Sequence, residues 1–155
     1  MIVRSEKTLA LFRGPGLCEY CGCRCVREVH HALITKGRGR LDVPMNLIAA
    51  GSPFDCCCHD QAHRQVKDFK ARSLKIISLR EHLAGDYIVA ALNRLLRAPK
   101  DVAPCPHCHG SGIYNLPIDP INVHCPCITC ACSGVVMPDG SPWIEKPRKF
   151  SGVNR

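Results

Sequence analysis

The chain has 155 residues, enough for one ordinary domain or two very small ones, with 13 cysteines and a formal charge of +8. Modules of this size bury little apolar surface and lean on metals or disulfides. Cysteines clustered as Cys-x-x-Cys pairs beside histidines, behind an N-terminus too polar for a secretory leader, favour zinc in a reducing cytoplasm, and no apolar run approaches a membrane span.

In chain order, Met1 to Gly16 reads as a lead-in with a strand over Thr8–Phe12, closed by the turn signal Gly14-Pro15-Gly16. A knuckle follows, Cys18-Glu-Tyr-Cys21-Gly, with Cys23 and Cys25 as extra thiols. Val26–Ile34 predicts a strand carrying His30-His31, Thr35–Met45 a loop, and Asn46–Ala50 a second strand. A helix is expected over Asp55–Arg72, capped by Asp55, with His59, His63, Val66 and Lys70 at helical spacing. Two thiolate pairs close one tetrahedral zinc. Cys18 and Cys21 find theirs in Cys58 and either Cys56 or Cys57, of which Cys56 is assigned. His30, His59 and His63 form a different set, whose open position suits a metal that polarises a phosphate oxygen.

Ser73–Arg97 is apolar at Ile76, Leu79, Leu83, Tyr87, Ala91 and Leu95, one face of a helix. Gly85-Asp86 offers a break there, glycine suiting a helix end and aspartate a new N-cap. Two readings stay open: a helical spacer packed on the preceding domain, which is preferred, and a helix-turn-helix presenting its second helix to DNA. Ala98–Pro104 reads as a linker. Then come two copies of Cys-x-x-Cys-x-Gly-x-Gly, Cys105 to Gly112 and Cys127 to Gly134, the second with Cys132 in place of a glycine. Cys105, Cys108, Cys127 and Cys130 supply one structural zinc knuckle or ribbon. Tyr114–His124 is expected as a loop, and Met137–Arg155 as a flexible basic tail anchored by Trp143.

The ordered set Cys18-x-x-Cys21, His30-His31, Asn46-Leu47 and Cys58-His59, with His63 one turn on, resembles the HNH (ββα-metal) endonuclease family. The resemblance implies that His30 binds a divalent metal (Mg2+, Mn2+ or Zn2+), that His31 is the general base, and that Asn46 is the catalytic-site orienter of the loop. His59 would complete the metal site and His63 join it, an i, i+4 pair sharing a helix face. Neighbours on a regular strand face opposite sides, so the strand is expected to end or bulge at His30-His31. It further implies hydrolysis of DNA, nicking by default, in a phage or mobile-element setting. Lys36, Arg38 and Arg40, between His31 and Asn46, are placed to hold backbone phosphates. The C-terminal copies resemble the zinc-binding repeats of DnaJ-type cochaperones, though two repeats suffice for only one zinc.

The expected architecture is therefore small α+β. Residues 1–72 form a ββα-metal core with structural zinc, 73–98 a helical spacer, 99–136 a zinc module and 137–155 a tail. The zinc module is open to three uses: clamping DNA, docking a protein partner, or folding its own segment. Two rival classes remain, a zinc-stapled nucleic-acid-binding or adaptor protein without catalysis, and a thiol redox or chaperone-like protein.

Overall fold

In the computed structural model, which describes residues 3–35, 41–99, 101–118 and 121–144, the chain begins with a capped helix rather than the expected strand. Ser5 Oγ accepts the Thr8 amide at 3.1 Å, and Glu6 follows in the first turn, so α1 (Glu6–Phe12) starts on its own side-chain cap. Its buried face is Leu9 and Phe12. The Gly14-Pro15-Gly16 signal is not a turn but most of an edge strand, β1 (Gly14–Leu17), where proline's missing amide leaves no ladder bond unmade. The reversal falls later, in the cysteine knuckle, where Cys18 N donates to Cys23 O at 2.9 Å and Gly22 sits at φ +74°.

β2 (Arg24–His31) lies between β1 and β3 (Leu47–Gly51) in an antiparallel sheet, with His30 opposite Ile48 and His31 opposite Leu47. All of β3 is buried, because both of its faces are covered. Leu47 and Ala49 pack with Leu9 and Phe12 of α1, while Ile48 and Ala50 enter the main core beneath the other helices.

The single helix expected over Asp55–Arg72 is two: α2 (Cys58–Arg64) and α3 (Val66–Glu81), separated at Gln65, whose φ −110° and ψ 55° are non-helical. Asp55 caps neither. Its Oδ2 accepts Val26 N at 3.0 Å and Ser52 Oγ at 2.9 Å, pinning the Ser52–Cys57 loop to β2. α3 packs Phe69, Ser73 and Ile77 inward, and Tyr20 OH donates to Ser73 Oγ at 2.7 Å, which in turn donates to Phe69 O at 2.6 Å. Burial pushes the Tyr20 hydroxyl up to about 12.

The next break also precedes its expected place. α3 ends with His82 in the left-handed region at φ +53°, and Gly85 opens α4 (Gly85–Arg97) instead of closing a helix. Asp86 lies inside the first turn of α4, with Ala84 at the N-cap. Ile88, Ala91, Leu92 and Leu95 bury the apolar face of α4 in the same core as Ile48 and Ile77. Thus α3 runs across residue 72, and the segment after it shares one core with the sheet.

Nor is Ala98–Pro104 a free linker, since Ala98 and Val102 are buried and β4 (Ala103–Pro104) pairs with β7 (Val135–Val136). Tyr114–His124 belongs to a hairpin, β5 (Ile113–Ile118) with β6 (Ile121–Pro126), rather than a loop. Residues 137–144 of the expected tail fold back as a turn, with Met137 N donating to Ser141 O at 2.8 Å and Trp143 packed on the core. The remainder of that tail lies outside the described residues.

Leu95 joins the core to the Cys105–Gly112 knuckle, since it is fully buried and lies against Gly110. Leu95→Ala should cost about 2–5 kcal/mol in urea unfolding at fixed zinc, the range for a cavity at a site that cannot collapse. A loss below about 1 kcal/mol would place it outside the core.

Candidate metal centres

Metal-binding side chains converge in three places: Cys18, Cys21, Cys56 and Cys58; Cys105, Cys108, Cys127 and Cys130; and His30, His59 and His63. Within each group the donor atoms all lie within 4.8 Å of one another.

The first group joins the β1–β2 knuckle to the start of α2. Cys57 is excluded from it because its thiol donates to Pro53 O at 3.0 Å, so Cys56 is the partner of Cys58. Burial, and then hydrogen bonding to Cys21, Cys56 and Cys18, pushes the Cys58 thiol far up. Such a thiol stays protonated alone and ionises when a cation takes the proton's place, which is how zinc binding couples to folding.

The second group is buried at all four positions, and its chain is symmetric about the metal position. Sulfur pairs Cys105–Cys127 and Cys108–Cys130 are each 3.7 Å apart. A tetrahedron with zinc–sulfur bonds of about 2.3 Å has edges of about 3.8 Å. Gly112 N donates to Cys108 Sγ at 3.2 Å and Gly134 N to Cys130 Sγ at 3.3 Å. Cys105 N bonds Gly134 O and Cys127 N bonds Gly112 O, at 2.8 and 3.0 Å. Gly112 and Gly134, at φ +83° and +82°, face the backbone of the opposite copy so closely that a Cβ on either would strike a carbonyl oxygen, of Cys132 or Gly110 respectively. The repeat is thus a pair of interlocked knuckles, and both four-cysteine groups have the chemistry to hold structural zinc.

The histidine group has a different character. His30 comes from β2, His59 and His63 from successive turns of α2, and the ring centroids are 4.8 to 5.7 Å apart. His30 Nδ1 is buried with no hydrogen-bond partner, an uncompensated polar atom of the kind a ligand site leaves. Burial, followed by the neighbouring His63, His59 and His31, pulls His30 down to about 4, and burial likewise lowers His63. The imidazole of His30 is accordingly neutral at neutral pH and able to donate to a cation. Glu28 Oε2 lies 3.0 Å from His59 Nδ1, which leaves Nε2 as the free donor.

His31 lies outside this trio. The β2–β3 register runs without a bulge to His31, where the strand ends, so the expected distortion reduces to a strand end and the two rings take opposite faces. His31 Nε2 is 2.8 Å from Asp42 Oδ1, and the Asp42 carboxylate is fully buried. Asp42 Oδ2 in turn accepts Ser5 N at 3.0 Å. Asn46 is fully buried: its Oδ1 accepts Leu33 N and Ile34 N at 3.1 and 2.7 Å, and its Nδ2 donates to Ile34 O and Leu41 O, both at 3.1 Å. It thereby ties the two ends of the loop after His31 together. Lys36, Arg38 and Arg40 lie outside the described residues.

Sequence reasoning missed Asp42 and Glu28. Glu28 stands two residues before His30 on a strand, hence on the same face, and that period was a usable signal. Asp42 had none, because its partner is set by how the loop returns.

The chain matches no family model, no curated protein and no solved structure. What fold and sites define is a small α+β protein with two four-cysteine groups able to hold zinc and a third, histidine-only group.

Native mass spectrometry of the purified protein should show two chelator-resistant zinc ions per chain, one for each four-cysteine group. Cys58→Ala and Cys127→Ala should each remove one, and retention of both by either variant would break the assignment. Gly134→Ala should weaken the second site alone, because the added carbon forces the knuckles apart.

Proposed function

We propose that the protein is a metal-dependent endonuclease of the HNH (ββα-metal) type that hydrolyses DNA phosphodiester bonds one strand at a time. The observation that carries this reading is the convergence of His30, whose buried Nδ1 has no hydrogen-bond partner, with His59 and His63, and with His31 next along the strand and paired with a buried carboxylate. A divalent ion held by His30, His59 and His63 would supply Lewis-acid polarisation of a phosphate oxygen and stabilise the leaving oxygen.

The chain's own residues do the rest. Asp42 holds His31 by Nε2, which presents Nδ1 as the nitrogen that takes the proton from attacking water. Asn46 fixes the backbone on which His31 is followed by the loop carrying Lys36, Arg38 and Arg40, whose charges suit the substrate backbone. The net charge of +8 points to the same polyanion. One such centre cuts one strand, so nicking is the expected product.

The non-catalytic alternative, a zinc-stapled nucleic-acid-binding or adaptor protein, rests on the four-cysteine groups alone and gives His30 and the His31–Asp42 pair no task. The C-terminal zinc module offers a place for a protein partner under either reading. No helix among the described residues is long and apolar enough to cross a membrane, and zinc thiolates suit a reducing compartment such as the cytoplasm.

With magnesium or manganese, the purified protein should convert supercoiled plasmid to open circle, and a chelator should stop it. His31→Ala should abolish nicking at unchanged zinc content. Asp42→Asn should slow it by a factor on the order of 10² to 10⁴, by analogy with the wrong imidazole tautomer in a hydrolase triad. Equal activity in wild type and His31→Ala would sink the reading. Activity should also decline as acid protonates the imidazoles, since a charged ring neither accepts a proton nor binds metal.

A further inference from the structure

Cys25 has no place in any of the three metal groups, yet it is buried against one of them. Its sulfur lies beside that of Cys56, a member of the first group. The two sulfurs share the space that glycine leaves at position 51: a Cβ there would strike Cys56 Sγ and lie 3.0 Å from Cys25 Sγ. A surface cleft of about 590 Å³, bordered by Gly16, Leu17, Arg24, Val26 and Asp55, is lined by Cys25 itself. A small polar molecule in that cleft therefore meets a spare thiol that lies beside a sulfur of the first four-cysteine group.

We propose that Cys25 and Cys56 are a peroxide-oxidisable pair, whose disulfide removes one ligand from the first zinc site and releases that metal. Zinc bound at the first group would hold Cys56 as the thiolate, the nucleophilic form, and Cys56 is only half-buried. Hydrogen peroxide transfers one oxygen to the Cys56 sulfur as its O–O bond breaks, giving a sulfenic acid and hydroxide. The Cys25 sulfur then attacks that sulfur. The S–O bond breaks, the sulfenic oxygen leaves as hydroxide, and the Cys25 proton converts it to water. In sum one thiolate, one thiol and one peroxide give one disulfide, one water and one hydroxide, and the zinc site is left with Cys18, Cys21 and Cys58.

Cys25 is suited to the second step rather than the first. Cys25 is buried where Cys56 is only half-buried, so peroxide reaches Cys56 first and Cys25 is the sulfur already beside the sulfenic acid that forms. Cys58 is followed directly by His59, so loss of this metal would loosen the start of α2 and the histidine group with it. The thiol chemistry itself does not depend on the nuclease reading.

The test treats the full-length, zinc-loaded protein with hydrogen peroxide and follows release with a chromogenic zinc chelator. Alkylation and mass spectrometry then map the disulfides. We expect one of the two zinc ions to leave, a Cys25–Cys56 disulfide to appear, and reductant with added zinc to restore the starting state. Cys25→Ser, first shown to hold both zinc ions, should release zinc at least about tenfold more slowly, because no resolving thiol remains. Release at the wild-type rate in Cys25→Ser would overturn the proposal. So would a disulfide between Cys21 and the exposed Cys23, or sulfinic acid at Cys56 without any disulfide. The wild-type map decides the matter even if Cys25→Ser does not fold.

Discussion

Thiols packed against one another in a protein interior cannot ionise together unless a cation neutralises the set. This chain sets up that requirement twice, and much of its folding follows. α2 has only seven residues, its N-cap residue Cys57 sits at φ +57°, and no side chain caps it. A helix so short does not persist on propensity. What fixes its start is Cys58, joined to the β1–β2 knuckle through the first four-cysteine group. His59 and His63 inherit that anchorage, so the geometry of the histidine group depends on the four-cysteine group one residue before it.

The second determinant is the two-residue period of β2 and β3. Ile48 and Ala50 face the helical core, and Leu47 and Ala49 face α1. Opposite residues of an antiparallel pair share a face, so His30, paired with Ile48, joins α2, while His31, paired with Leu47, turns toward the side of α1. Each histidine thus meets a different environment: the imidazoles of His59 and His63 for His30, and a buried carboxylate for His31. Ser5 serves both tasks on that second side, capping α1 with its hydroxyl and holding Asp42 with its amide. Two adjacent residues of the same type acquire separate chemistry from one alternation.

Local chemistry was legible in the sequence where spacing alone determines it. The Cys-x-x-Cys pairs, the i, i+4 histidines and the duplicated C-terminal repeat all fall where their spacing places them, and all three donor groups contain the residues assigned to them. Element boundaries were less legible, because tertiary partners set them. Ser5 and its cap outweigh the apolar run from Leu9 to Phe12 that reads as a strand. Asp55 looks like a helix cap but is taken by Val26 N and Ser52 Oγ. Arg80 was invisible as well, although it donates to Pro44 O and Leu47 O and pairs with Glu19, holding the entry to β3. Such long-range partners have no period and leave no local mark.

The two four-cysteine groups also differ in exposure. Interlocked glycines pack the second against itself, and Tyr87 and Arg94 of α4 both donate to Ser111 O, which seats the module on the core. Its four sulfurs are all buried. The first group keeps Cys21 exposed and Cys56 half-buried, with spare thiols at Cys23 and Cys25 beside it. Ligand exchange needs access and an incoming donor, and only the first group has both. The four-cysteine group that positions the histidines is therefore also the more accessible one, whereas the module farther along the chain is closed on itself.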